Sequence, residues 1–300
     1  MAHSEKVIQE LEDKANIVRH NIFRIFDSSK GGHCGGTMSI VEIVTALYFH
    51  HLKLQPGNYD WPERDRVVLS KAHCCEAIYA VLPEIGYVPR EALDTYYCYC
   101  SPFQGHADRW CTPGIDYSGG SLGQGLSFAV GMAMAEKIKT AMNPPPTPFP
   151  QFLPRFLVKY NPLYRVYCIV GDGECNEGQI WEAIMFAAKY KLDNLIAIID
   201  YNKFSLDGPT EEIMPLAPLD EKFKSFGWWV KEIDGHNLRE LVDTLELASN
   251  LYGDGKPKCI IAHTVKGHGI PLWEQEHTHL ARGEGIARGV QEGREIYGKV

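Results

Sequence analysis

The chain has 300 residues, 45% of them hydrophobic, and a formal net charge of −8. That length makes one large or two ordinary domains and allows a sizeable core. The acidic balance argues against a nucleic-acid surface, which would be basic, and no apolar run of about eighteen residues is present to span a membrane. The charged, amphipathic stretch 1–20 is unlike a signal peptide. Nine cysteines, an odd number without a Cys-x-x-Cys pair, read as reduced thiols of a cytoplasmic protein.

Periodicity predicts a first helix over 5–28, a glycine-rich loop at 29–36 and a second helix over 39–50. A strand over 66–69 leads through Ser70-Lys71-Ala72-His73 into a helix over 76–82. Gly119-Gly120-Ser121-Leu122-Gly123-Gln124-Gly125 precedes a helix over 122–141. The stretch 143–162 is so rich in proline that regular helix and central strand are excluded, and it reads as a surface excursion. Strands follow at 165–170, 195–200, 228–233 and 258–263, with helices at 177–191 and 237–250 and a final helix or tail after 282. This alternation predicts an α/β fold: an open, mostly parallel sheet with helices on both faces, as one domain over 1–300.

Gly171-Asp172-Gly173 closes one apolar strand, and Asn202 closes the next. A strand–helix–strand unit of this kind sets two oxygen ligands at neighbouring strand carboxyl ends, where open parallel sheets bind ligands. Such donors suit Mg²⁺ or Ca²⁺, and Mg²⁺ takes further ligands from phosphates. Gly171, Gly173 and Gly178 loosely follow a dinucleotide fingerprint, but Asp172, Glu174 and Glu177 would repel a pyrophosphate unless a cation bridged them. The unit reads as a clamp for a diphosphate through a divalent metal.

Three histidines lie in loops beside small residues: His33, His73 and His106. Histidine donates and accepts hydrogen bonds and titrates near neutrality. Three together suit a polyhydroxylated substrate that needs orientation and proton transfer. Gly120 lets backbone approach a ring or phosphate, and Leu122 is placed to pack on that ring.

With the 29–36 loop, Asp65 to His73, Gly105-His106, Gly120 to Gly125, Gly171-Asp172-Gly173-Glu174 with Glu177-Gly178, and Asp200-Tyr201-Asn202, the chain resembles the diphosphate-binding domain of transketolases. The resemblance implies a thiamine-diphosphate-binding fold, with thiamine diphosphate and Mg²⁺ (or Ca²⁺) as cofactors. It implies that Asp172, Asn202 and the Phe204 carbonyl hold the metal, and that His73, Gly120, Leu122, Gly173, Glu174 and Asn202 contact the cofactor. His33, His73 and His106 would serve the substrate, and Glu177 would couple two cofactor sites across a dimer. Either His279 or His277 would fill the place of the family's closing histidine. Cys34, Cys74 and Cys75 flank this expected pocket.

The implied activity is transfer of a two-carbon ketol unit from a ketose phosphate to an aldose phosphate. Nothing here resembles the family's aminopyrimidine-binding domain. The resemblance therefore implies a split enzyme, active only with a C-terminal subunit carrying that domain, as an α2β2 assembly. Alternatives are a component of another thiamine-diphosphate enzyme, such as a 2-oxo acid decarboxylase or dehydrogenase, or a transketolase of sulfonated or branched sugars.

Overall fold

The structure is a computed structural model, and it describes residues 3–142 and 162–298. Helix α1 (Glu5–Ser29) starts where the Ser4 side chain accepts from the Val7 amide. It ends at Lys30, whose left-handed conformation (φ 54°) lets its amide donate to the Phe26 carbonyl. The two-residue strand β1 (Gly31–Gly32) and the short α2 (Cys34–Met38) follow. Next, α3 (Val41–Ala46) runs into a π-helical turn, Leu47–His51. The helix predicted over 39–50 is therefore shorter, because Ile40 (φ −110°, ψ 11°) leaves helical geometry and the last turn widens.

Strand β2 (Arg66–Leu69) leads through a 3-10 turn, Ala72–Cys74, into α4 (Cys75–Val81). Helix α5 (Gln124–Met142) begins later than predicted because Gly123 takes φ +86°, outside the helical range. The proline-rich stretch 143–162 lies outside the described residues, Pro162 excepted. Strand β3 (Val166–Gly171), a 3-10 turn at Gly173–Asn176, α6 (Gly178–Lys189) and β4 (Leu195–Tyr201) form the predicted strand–helix–strand unit. Then come α7 (Thr210–Ile213), α8 (Leu219–Ser225), β5 (Trp229–Asp234) and α9 (Leu238–Asn250). The chain closes with β6 (Lys258–His263), α10 (Pro271–Gln275), β7 (Ala281–Arg282) and α11 (Glu284–Tyr297).

Five strands make one parallel sheet in the order β2-β3-β4-β6-β5. Side chains alternate between faces along a strand, and both faces here are apolar. Tyr167, Ile169, Ile196, Ile198 and Ile260 join one core with α1, α3, α4, α9 and α11. Cys168, Val170, Ala197, Ile199 and Ile261 join the other with α5, α6 and α8. Burial on both sides is what a parallel sheet requires. Short antiparallel β1 and β7 pair outside it, Gly31 opposite Arg282, and bring the end of the chain back beside the 29–36 loop.

At the amino ends of the strands His51 is wedged between Tyr167 and Ser249, its Nε2 2.9 Å from the phenol oxygen and 3.0 Å from the hydroxyl. Burial, reinforced by the Arg165 charge, pushes its pKa down from 6.5 to about 4. A depressed value means that this contribution to stability is full above pH 6.5 and is lost as pH falls through about 4. Between those pH values, urea unfolding of the wild type should lose about 2 kcal/mol more than unfolding of His51→Gln. Parallel pH profiles for the two proteins would remove this role.

Candidate active site

The carboxyl ends of β2, β3, β4 and β6 surround a pocket of about 410 Å³. His33, Lys71, His73, His106, Gly120, Leu122, Asp172, Gly173, Glu174, Asn202, Phe204, Lys266 and His279 all contribute to its lining. Sequence separation between these residues is large, so only the parallel sheet and its crossovers bring them together.

Asp200 forms the floor. It is fully buried at the end of β4. One carboxylate oxygen, Oδ2, accepts from Ser39 Oγ (2.7 Å), from Asn202 Nδ2 (2.9 Å) and from Lys71 Nζ. The other, Oδ1, accepts from Thr264 Oγ1. Burial alone would raise its pKa, but the Lys71 ammonium and these hydrogen bonds bring it below the ordinary carboxylate value. Lys71 is raised in turn, since Asp200 outweighs its own burial. This pair ties the loops after β2, β4 and β6 and the segment before α3 into one unit.

Above the floor lies Asp172, also buried. Its Oδ1 accepts from the Gly173 amide at 2.7 Å and its Oδ2 from the Lys203 amide at 2.5 Å. Burial first, and then the charge of Asp200, push its pKa up to about 7. The Asn202 side chain is held by two bonds: Nδ2 on Asp200, and Oδ1 accepting from the Phe204 amide at 3.1 Å. Phe204 itself bridges to Pro209. Lys266 donates to the Ser205 carbonyl at 2.8 Å, and its pKa is lowered by burial and by Lys71.

The histidines converge. Ring centroids of His33 lie 5.3 Å from His73, 5.8 Å from His106 and 5.5 Å from His279; His73 and His279 are 5.1 Å apart. Burial lowers the pKa of each, His279 to about 4 and His73 well below 6.5. All four are neutral imidazoles at pH 7, each with one donor and one acceptor nitrogen. The Nδ1 of His33 is buried and has no hydrogen-bond partner among the described residues. Beneath the cluster, buried Glu76 accepts from the His33 amide (3.0 Å), Thr37 (2.9 Å) and Tyr96 (2.9 Å).

Of the two candidate closing histidines, His279 lines the pocket, whereas His277 is exposed and stacks on the Phe204 ring with centroids 3.7 Å apart. Glu177 is exposed at the start of α6 and does not line the pocket. Glu174 lines it, but its carboxylate is already engaged by Ser70, by the Gly123 amide (2.7 Å) and by the Gly171 amide (3.0 Å). Cys34, Cys74 and Cys75 are buried beside the pocket, not in its lining. Burial raises the first two thiols to about 12, so they stay protonated. Gly36 is required by this packing, because a Cβ there would stand 2.6 Å from the Cys74 sulfur.

Lys71, Asp200, Glu76 and Lys266 were not among the candidates read from the sequence. Lys71 carried a local signal, a charged residue two positions after an apolar strand and two before His73. Glu76 and Lys266 carried none.

A family model for the transketolase thiamine diphosphate binding domain matches residues 11–299. The chain belongs to the transketolase family. It is 45% identical to the 6-deoxy-6-sulfo-D-fructose transketolase subunit SqwG of Clostridium sp. over 265 residues, 88% of each chain. It is 39% identical to an apulose-4-phosphate transketolase subunit of Actinobacillus succinogenes, covering 94% of this chain and 95% of that one. Among solved structures it superposes on the transketolase of Campylobacter jejuni with a TM-score of 0.83 at 31% identity. That match covers 97% of this chain but 43% of the other, so the chain spans less than half of that transketolase. With the family come its reaction class, a transferase, and its cofactor, thiamine diphosphate with a divalent metal.

The pocket fits that cofactor. Asp172 is a carboxylate forced up to about 7 by burial first and then by the charge of Asp200, an environment that would accept a cation. A hard divalent cation would fit there, with the oxygens of Asp172, Asn202 and Phe204 as donors. Gly120 and Gly173 leave bare backbone in the lining.

Breaking the Lys71–Asp200 pair has a measurable cost. Lys71→Met leaves a buried carboxylate without its cation and should cost about 3 kcal/mol or more by chemical denaturation. Adding Asp200→Asn should recover part of that loss. A Lys71→Met protein as stable as the wild type would show that the pair does not hold the loops together.

Proposed function

We propose that this transketolase chain is the diphosphate-binding subunit of a two-chain enzyme, and that it moves a two-carbon ketol unit from a ketose to an aldose in the cytoplasm. The observation that carries the reading is the convergence of four neutral histidines on the pocket that also contains Asp172 and Asn202. A 2-oxo acid enzyme would need the metal clamp but has no use for four hydroxyl-binding imidazoles. The nine free cysteines, and relatives named as subunits, support the reduced compartment and the second polypeptide. The partner would carry the aminopyrimidine-binding domain, and an α2β2 assembly would set exposed Glu177 at an interface between chains.

In this reading Asp172, Asn202 and the Phe204 carbonyl hold the Mg²⁺, and Gly120, Leu122, Gly173 and His73 receive the cofactor. Thiamine diphosphate, when bound, supplies the electron sink for the bond cleavage between C2 and C3 of the ketose. The protein's part is to bind, orient and move protons. His33 and His106 receive sugar hydroxyls, the free Nδ1 of His33 offering a site for one of them. A neutral imidazole accepts the hydroxyl proton released as the bond breaks and returns it to the product. His279 closes the cluster and helps keep it dry.

The substrate reading is narrower than an ordinary sugar phosphate. Relatives named for 6-deoxy-6-sulfo-D-fructose and apulose 4-phosphate share 45% and 39% of positions, against 34% for the Pongo abelii transketolase. A sugar with a sulfonate or a branched skeleton is therefore the substrate class we favour.

The chain, its companion subunit, thiamine diphosphate and Mg²⁺ should together turn over one of sulfofructose, apulose 4-phosphate or xylulose 5-phosphate with an aldose acceptor. Consumption of pyruvate but no ketose would overturn the reading. In the assembled enzyme Asp172→Ala should abolish Mg²⁺-dependent cofactor binding in calorimetry. His33→Ala and His106→Ala should keep cofactor affinity while kcat falls roughly 10²- to 10⁴-fold. Unchanged cofactor binding by Asp172→Ala would remove the clamp assignment.

A further inference from the structure

At the other end of the sheet, far from the pocket, a second group of ligands comes together without a role in ketol transfer. His3 precedes the cap of α1, His50 sits in the π-helical turn after α3, and Asp243 and Glu246 are three residues apart on α9. Residues so spaced share one helix face, and π-helical turns often mark functional positions. His50 adjoins His51, which bonds Tyr167 near the start of β3, so the group belongs to the amino end of the sheet.

The geometry points to a Zn²⁺ site built from His3, His50 and Glu246, whose ligand atoms all lie within 4.8 Å of one another, with the fourth position left to water. The Nε2 atom of His3 lies 3.1 Å from Glu246 Oε1 and 3.8 Å from Asp243 Oδ1, and His50 Nε2 lies 3.7 Å from Glu246 Oε1. In a tetrahedral zinc site with metal–ligand distances of about 2.0–2.2 Å, neighbouring ligand atoms stand about 3.4 Å apart. The observed separations bracket that value. His3 Nε2 is buried and makes no hydrogen bond among the described residues, although a carboxylate oxygen is within reach. The contact lacks hydrogen-bond alignment, and a cation between the two groups would satisfy both.

His3 is also held in place. Its carbonyl accepts from Arg239 Nη1 at 2.7 Å, and Arg239 Nη2 donates to Glu5 at 2.7 Å, so the start of α1 is fastened to α9 beside the ligands. Two imidazoles and a carboxylate favour a borderline metal over Mg²⁺, which prefers oxygen ligands alone. Glu42, His236 and His268 form a comparable cluster, but it is already satisfied. There His236 uses Nδ1 on Glu42 at 2.9 Å and Nε2 to accept from the Val265 amide at 2.8 Å, while Arg19 pairs with Glu42. The site at His3 has no such closed network. Its metal would fasten three separate parts of the chain: the start of α1, the end of α3 and the middle of α9.

The test uses the full-length, untagged chain stripped of metal, titrated with Zn²⁺ by calorimetry and with Co²⁺ by absorption. One tight equivalent is expected, with a tetrahedral Co²⁺ spectrum free of thiolate charge transfer. Cys98→Ser, Cys100→Ser and Cys111→Ser combined should leave it intact. His50→Gln and Glu246→Gln should each weaken binding about 10-fold or more, with metal-free melting temperatures equal to the wild type. Zinc affinity unchanged in His50→Gln would place the metal elsewhere and overturn the proposal. So would a thiolate band, or a wild-type chain that takes up no zinc. None of these outcomes depends on the companion subunit or on turnover, so the transketolase reading stands or falls separately.

Discussion

A buried charge in an apolar sheet is tolerable only when another charge and a set of hydrogen bonds meet it. Asp200 and Lys71 are that meeting point here, with Ser39, Asn202 and Thr264 completing the shell. Several of the groups that face the pocket are arranged from this pair outward. Asn202 is oriented by it, His73 follows Lys71 by two residues, and Lys266 follows Thr264 by two. The ordering of loops at the carboxyl ends of β2, β4 and β6 is thus an electrostatic result as much as a packing one.

Two opposite pKa displacements share the pocket. Burial moves the histidines down, so they line the pocket as neutral donors and acceptors. The same burial moves Asp172 up, and Asp200 moves it further. Imidazoles lose nothing by being uncharged, because hydroxyl recognition needs neutral hydrogen bonds. The carboxylate does lose, and the proposed divalent cation would restore its charge. One low-dielectric cavity thus moves the imidazoles and the carboxylate that line it in opposite directions.

The thiols make the same point from the other side. Cys34, Cys74 and Cys75 stand next to this chemistry, yet burial keeps them protonated and unreactive. Their function is to fill space: Gly36 and the Cys74 sulfur fit against each other with no room for a methyl group. Small residues in the 29–36 loop thus serve close packing under the histidines as well as access by a ligand.

The α/β alternation, the strand limits and the place of Asp172 and Asn202 at neighbouring strand ends were legible in the sequence. Each depends on local pattern: apolar runs, amphipathic periods, and polar residues directly after a strand. Helix ends were less so, and Ile40 and Gly123 shifted two of them through single backbone angles. What the chain order could not decide was which distant residues meet. The choice of His279 over His277, the Lys71–Asp200 pair across 129 positions, Glu76 beneath His33, and the approach of His3 to Glu246 are products of the folded sheet. Such contacts depend on how crossovers bring strand ends together, and no local period encodes that.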